Sequence, residues 1–343
     1  MNAKKWTSYT IILGVFIFSI VYFFRIAAQN YFFDMERIIW TTKTNLTNSI
    51  NPNNYDYIIV GSSKTLALNP EYISKKTDLK GINLSVGGAT ILYHYYTIKR
   101  LIDRNQTLPK IFINLVPYQF DNNSMGNTYG FNQKLCRWFI DDDEAQEVNK
   151  YISSFYNDCQ IIKDNKFIMY SDLSLLRSLY TDIRYYRRYG DTATDLLKYE
   201  LNNNKGFYLF GEEPVFSHKV KYAHNTFLNT NKSLSKNGIH SSSKIYFNKL
   251  LKLLKENNIN YTFFFSPFYT EQSEYVDLDF GESMYLFNQI DNKNIIKNVL
   301  LLGGINFTDS QHLNYKGSAI YNDWFVENIK HNKPTNFTEY KLQ

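Results

Sequence analysis

Asp309 and His312 stand three residues apart in the stretch Phe307-Thr308-Asp309-Ser310-Gln311-His312-Leu313-Asn314-Tyr315-Lys316-Gly317, directly after the apolar run Val299 to Leu302. A carboxylate on the same short loop as a histidine can orient the imidazole and stabilise its charged form. That is the orienter–base half of a nucleophilic triad. Such a half-site requires a serine or cysteine at the end of a strand elsewhere. Gly61-Ser62-Ser63 offers one, following the β-branched run Tyr57-Ile58-Ile59-Val60. Glycine lets the backbone bend there, and Ser63 is presented at a helix start, where backbone N–H groups favour negative charge. Taken singly, both signals have plainer readings. Ser62 or Ser63 would cap a following helix, and Asp309 with His312 would form a capped turn carrying a surface histidine. Lys64-Thr65 lacks the glycines of a phosphate-binding loop. Lys64 adjoins Ser63 and is expected to point elsewhere, which disfavours a Ser–Lys pair.

The elements that must position these residues alternate. Strands are expected at Tyr57–Val60, at Gly81 onward, at Ile111–Val116, at Tyr261–Phe265 and leading into Asp309. Helices are expected over Ile91–Asp103, over Ser243–Asn257 with Ile245, Phe247, Leu250, Leu251 and Leu254 on one face, near Met284–Ile290 and over Ser318–Ile329. Short apolar strands alternating with helices imply an α/β fold, a three-layer sandwich around a mostly parallel sheet, with sites at the carboxyl ends of strands. From about 121 to 241 the alternation lapses into Asn- and Asp-rich loops around helical stretches such as Asp142–Phe155 and Ser171–Tyr189, which read as an insertion.

The first segment has a different character. Trp6 to Phe24 is uncharged, and at 1.5 Å per residue its roughly 19 residues span roughly 29 Å, the thickness of a bilayer's hydrocarbon core. The run is long for a signal peptide, and Arg25-Ile26-Ala27-Ala28 is a poor cleavage site. It therefore reads as an uncleaved anchor, with residues 1–30 forming a cytoplasmic tail and span. Residues 31–54 make an amphipathic juxtamembrane helix and linker, and 55–343 a domain outside the cytoplasm, Lys4 and Lys5 setting the orientation.

In a chain of 343 residues a net charge of +6 is modest, and no Lys/Arg stripe marks a nucleic-acid footprint. Arg184-Tyr185-Tyr186-Arg187-Arg188, the densest basic spot, reads as a helix face. Cys136 and Cys159 are either one disulfide or two buried thiols. They lack zinc-site companions, and His218, His224 and His240 are scattered, so neither metal nor cofactor is expected. His94 falls on an expected helix among aromatics and reads as a packing residue.

Taken together, the segments resemble the SGNH (GDSL-like) hydrolase and acyltransferase superfamily. Gly61-Ser62-Ser63 stands where that family has its G-D-S turn, with Ser62 in place of the aspartate. Asn83-Leu84-Ser85-Val86-Gly87-Gly88 is similar to its N-x-[GS]-x-x-G block, and Asp309 with His312 to its D-x-x-H block, followed by the Leu313-Asn314 and Gly317 that often accompany it. The resemblance implies Ser63 as nucleophile, His312 as base and Asp309 as its orienter, with the N–H groups of Ser63 and Gly88 as the oxyanion hole. The third-block asparagine has no counterpart in Val116-Pro117-Tyr118-Gln119, where Tyr118 or Gln119 would have to substitute. The anchor, the Gly-Ser-Ser turn and the lost third block are more similar to membrane-anchored branches that modify surface polymers. Examples are the D-alanine transfer protein of lipoteichoic acid assembly and proteins associated with polysaccharide O-acetyltransferases. The implied function is ester chemistry on an acylated cell-surface glycan or polymer, with a membrane acyltransferase as a candidate partner. The alternative is a degenerate SGNH fold that binds glycan or scaffolds such a complex.

Overall fold

The computed structural model describes residues 3–31, 35–105, 107–116, 119–120, 135–136, 139–150, 193–209, 241–269, 286–296, 299–309 and 312–331. The chain divides into two compact units, Met1–Ile38 with Ile168–Leu197, and Ile39–Phe167 with Lys198–Gln343.

In the first unit, helix α1 (Ala3–Tyr31) is continuous over 29 residues, about 43 Å at the α-helical rise. Over residues 6–20 its apolar side chains are bare, with Ile11 61%, Phe16 60% and Phe18 56% exposed. No helix is long and apolar enough to cross a membrane within the residues whose side chains are described, and in α1 those side chains end at Ile20.

The second unit is organised on a five-stranded sheet of order β2-β1-β3-β4-β6 in which every neighbouring pair is parallel. The strands are β1 (Tyr57–Val60), β2 (Gly81–Asn83), β3 (Lys110–Leu115), β4 (Tyr261–Phe265) and β6 (Ile295–Ile296). A separate parallel ribbon joins β5 (Phe268–Tyr269) to β7 (Leu301–Leu302). The strands read as apolar runs because both faces of the sheet are covered. On one face Tyr57, Ile59, Phe112 and Phe264 form a cluster with Ile73 of α3 (Pro70–Thr77) and with Tyr321, Trp324 and Phe325 of α8 (Tyr315–His331). On the other, Phe263 meets Phe247 of α7 (Ser241–Glu256) at 5.9 Å between ring centroids. Helix α4 (Ile91–Arg104) packs along α7. The sheet order reverses between β1 and β3, and in open parallel sheets the crevice beyond the strand ends at such a point is where ligands bind.

The expected strand into Asp309 is shorter than its apolar run and pairs with β5 instead of the main sheet. Gly303 leads straight into a 3-10 turn over Gly304–Asn306. The last helix begins at Tyr315 rather than Ser318, because Asn314 caps it by accepting from the N–H groups of Lys316 and Gly317. The amphipathic helix expected within residues 31–54 is α2 (Met35–Ser49), which enters the second unit at Ile39 and there buries Ile39, Trp40 and Lys43. Within the region read as an insertion, α5 (Asp142–Asn149) opens on a capping box between Asp141 and Glu144. Glu144 also pairs with Arg100 of α4 at 2.5 and 3.3 Å. Helix α6 (Ala193–Asn203) ends in Lys205 and Gly206, both left-handed. Ser171–Tyr189, Arg184–Arg188, Cys159, His218, His224, His240, Pro117 and Tyr118 lie outside the described residues. Cys136 is buried and disulfide-bonded. His94, on α4, is fully buried, with no partner for either ring nitrogen among the described residues. Burial alone pushes its pKa down to about 3.

Candidate active site

The turn after β1 is dictated by crowding. A Cβ on Gly61 would lie 2.1 Å from Thr65 Oγ1 and 2.8 Å from the Asn114 Cβ, so only glycine fits. The chain then closes a 3-10 turn over Ser63–Thr65, with Thr65 N–H donating to Ser62 O at 3.0 Å and Thr65 Oγ1 to the same carbonyl at 2.7 Å. Ser62 is fully buried. Its hydroxyl donates to Asn114 Oδ1 at 3.2 Å, and Asn114 Nδ2 donates to Ser266 Oγ at 2.9 Å. A buried polar chain therefore crosses the carboxyl ends of β1, β3 and β4 directly beneath the turn. Ser63 itself is only partly buried. Among the described residues neither its hydroxyl nor its N–H has a hydrogen-bond partner.

The segment after β2 is built against the same turn. Asn83 Nδ2 donates to Thr65 O at 2.7 Å and Leu68 O at 2.9 Å, and its Oδ1 accepts from Ser85 N–H at 3.0 Å. The block's asparagine is thus a strut between β2 and the serine turn. Gly88 has φ +67, a left-handed conformation that costs a β-carbon-bearing residue, and its N–H has no acceptor among the described residues. Two contacts from α2 hold this loop at both ends. Trp40 Nε1 donates to Gly87 O at 3.1 Å, and Lys43 Nζ donates to Asn83 O and to Gly206 O. Burial lowers the Lys43 pKa well below the ordinary lysine range. Gln119 accepts from Val116 N–H and donates through Nε2 to Ala89 O, both at 3.0 Å, so it braces the glycine loop.

The Asp309–His312 loop is closed on itself. Asp309 Oδ2 lies 2.7 Å from His312 Nδ1, and Oδ1 accepts the His312 backbone N–H at 2.8 Å. A return bond from Thr308 N–H to His312 O at 2.8 Å and the bridge between Phe307 and Leu313 pin the loop's base. Gly317 is required because a Cβ would meet Asn306 O at 2.2 Å. Helix α8 then reaches the other half-site. Ser318 Oγ and Asn322 Nδ2 both donate to Ala67 O, at 2.8 and 3.0 Å, while Asn322 Oδ1 accepts from Asn69 N–H at 2.7 Å. The segment four residues past Ser63 is in this way fastened to the helix that follows His312. A second link is electrostatic. Burial lowers the Lys64 pKa to about 8, and the charge of Asp309 opposes that shift.

These contacts bring the serine turn and the acid–histidine loop to one region, while the hydrogen bonds themselves join only Asp309 to His312. Tyr118 lies outside the described residues. Sequence reasoning missed Asn114, whose signal was a polar residue inside the otherwise apolar run Ile111-Phe112-Ile113-Asn114-Leu115-Val116. It also missed Trp40 and Lys43, for which the sequence carried no signal beyond helical periodicity. Among the described residues no group of His, Cys, Asp and Glu side chains is arranged to hold a metal ion. Compared with models of known protein families and with curated proteins, the chain matches neither.

Proposed function

We propose that this chain is a membrane-tethered serine acyl-esterase or O-acyltransferase of the SGNH type, acting outside the cytoplasm on an acylated cell-surface glycan or polymer. The observation that carries this reading is the doubly hydrogen-bonded Asp309–His312 pair, fastened through α8 to the turn that presents Ser63. With Nδ1 held by Asp309, His312 Nε2 is the nitrogen left to take a proton. It removes the Ser63 hydroxyl proton as Oγ bonds to the carbonyl carbon of the ester. The resulting oxyanion is stabilised by the N–H groups of Ser63 and Gly88, each such donor contributing about 100- to 1,000-fold in rate. The carbon–oxygen bond to the leaving alcohol then breaks, and His312 returns the proton to that oxygen. Water or a sugar hydroxyl attacks the acyl-serine by the same steps in reverse. Catalytic hydrogen bonds commonly close only when substrate is bound, which fits the unpartnered Ser63 hydroxyl. The exposed apolar side chains and length of α1 support its reading as the tether.

The test is active-site labelling of the full chain in detergent by a fluorophosphonate, read by peptide mass. The expected label is on Ser63, and Ser63→Ala loses both label and esterase activity. A Ser63→Ala protein that turns over every ester the wild type accepts refutes the reading. Gln119 Nε2 donates to Ala89 O, which draws that amide toward the glycine loop and supports the second reading, a non-catalytic SGNH-like scaffold for a membrane acyltransferase. A folded wild type that takes no label and co-purifies with such an enzyme supports that alternative.

A further inference from the structure

Lys64 is a residue of the serine turn that neither the proposed chemistry nor the turn's own hydrogen bonds use. It follows Ser63 in a 3-10 turn, where successive side chains fan about 120° apart. Its Nζ lies 5.2 Å above the centroid of the Phe268 ring. It takes part in no ion pair and no hydrogen bond among the described residues. Asp309, the carboxylate that acts on it, is already engaged at both oxygens by His312. An aromatic face attracts an ammonium without using its three N–H donors. The side chain is half-buried, and a partly desolvated ammonium that finds no hydrogen-bond partner among the described side chains is held at a cost. The depressed pKa has the same cause, burial. An anion arriving beside Phe268 would offset that cost.

We infer that Lys64 and Phe268 form an anion subsite beside Ser63, selecting esters whose acyl chain or alcohol carries a carboxylate or phosphate a short distance from the scissile carbonyl. The subsite rests on the reading of Ser63 as nucleophile for its place in turnover, but not for its ability to bind. Phe268 forms one wall, leaving the ammonium's donors for the ligand. Asp309 is held at both oxygens by His312. The subsite therefore acts on substrate binding, leaving the proton transfer at His312 to the dyad.

The experiment compares two aryl esters of equal acyl length, 4-nitrophenyl butyrate and 4-nitrophenyl hemisuccinate, on the full chain in detergent. Wild type, Lys64→Met and Lys64→Arg are assayed, with thermal unfolding to confirm that each variant is folded. Lys64→Met is expected to raise KM for the hemisuccinate about tenfold, a contact worth about 1.4 kcal/mol, and to leave both constants for the butyrate unchanged. Lys64→Arg is expected to restore most of the preference. An equal fall of kcat on both esters would mean that Lys64 acts through Asp309 and would overturn the inference, as would equal KM values for the two esters in wild type and Lys64→Met. If the wild type hydrolyses neither ester, the fault lies with the esterase reading. The subsite is then judged by calorimetric titration of the Ser63→Ala protein with inorganic phosphate. Binding that disappears on adding Lys64→Met upholds it, and binding that is absent or unaltered overturns it.

Discussion

Replacing His94 by leucine should remove a steep acid dependence of stability, because of where the imidazole is buried. His94 is fully buried, both ring nitrogens lack partners among the described residues, and its pKa is pushed from an ordinary 6.5 down to about 3. The folded chain thus keeps it neutral at a pH where the unfolded chain protonates it. A group with a depressed folded pKa contributes stability that is present above its unfolded pKa and is lost as pH falls. The window here opens near pH 6.5 and closes near pH 3. One pKa unit corresponds to about 1.4 kcal/mol, so the wild type should lose about 2 kcal/mol from this residue between pH 8 and pH 5, and about 3 kcal/mol by pH 4. Leucine is close in volume and has no proton to bind. The assay is urea unfolding of wild type and His94→Leu in the same detergent from pH 8 to pH 4. Other titrating groups act equally in both proteins, so the difference in unfolding free energy isolates His94. It should widen by those amounts as pH falls. At pH 8 the variant should already be the more stable by about 1–3 kcal/mol, since two unsatisfied buried polar atoms are gone. A difference that stays flat from pH 8 to pH 4 refutes the reasoning and means that the imidazole is hydrated or paired in solution.

Asn114→Leu strands the buried hydroxyls of Ser62 and Ser266 and should destabilise the protein by about 2–5 kcal/mol in urea unfolding; an effect under 1 kcal/mol would show that the polar chain is dispensable. Trp40→Phe keeps the ring against Tyr93, whose centroid is 5.2 Å away, but drops the bond to Gly87 O. It should cost about 1 kcal/mol of stability and lower kcat on a neutral ester several-fold with KM unchanged, and equal loss in both constants would count against a role in holding the glycine loop. Asp309→Asn retains an acceptor for the His312 backbone N–H but not the tautomer of its ring. kcat should fall about 10,000-fold with the thermal midpoint little changed; a fall of less than tenfold would remove Asp309 from the mechanism.

The strands at Tyr57–Val60 and Tyr261–Phe265 were legible because buried parallel strands are written as uninterrupted apolar runs, bounded here by Asp56 and Gly61 and by Asn260 and Ser266. The run Val299–Leu302 misled by the same rule: four apolar residues were available, but β7 is limited by the glycine turn that follows and by the short partner it pairs with. Local pairs were visible too. Asp309 and His312 are three residues apart, and the loop that joins them is closed by its own backbone. What stayed hidden is interaction across long stretches of chain. Asn114 finds Ser62 and Ser266 only once three strands lie side by side. Lys43 finds the carbonyls of Asn83 and Gly206 from residues 40 and 163 positions away. For Lys64 the sequence says only that it adjoins Ser63 and should point elsewhere, because nothing local shows that Phe268 and Asp309 come near it. Such contacts are set by topology, and a single sequence read for periodicity carries little of it.

The grip of Trp40 and Lys43 on the glycine loop decides where the chain can be cut without loosening the second unit. A cut after residue 50 would leave the carbonyls of Asn83, Gly87 and Gly206 without the donors they now have. It would also bare the surface that Ile39 and Trp40 cover. A truncation that removes α1 and keeps α2 would leave every one of those bonds in place. The shortened chain would carry the same serine turn, glycine loop and acid–histidine pair as the full one.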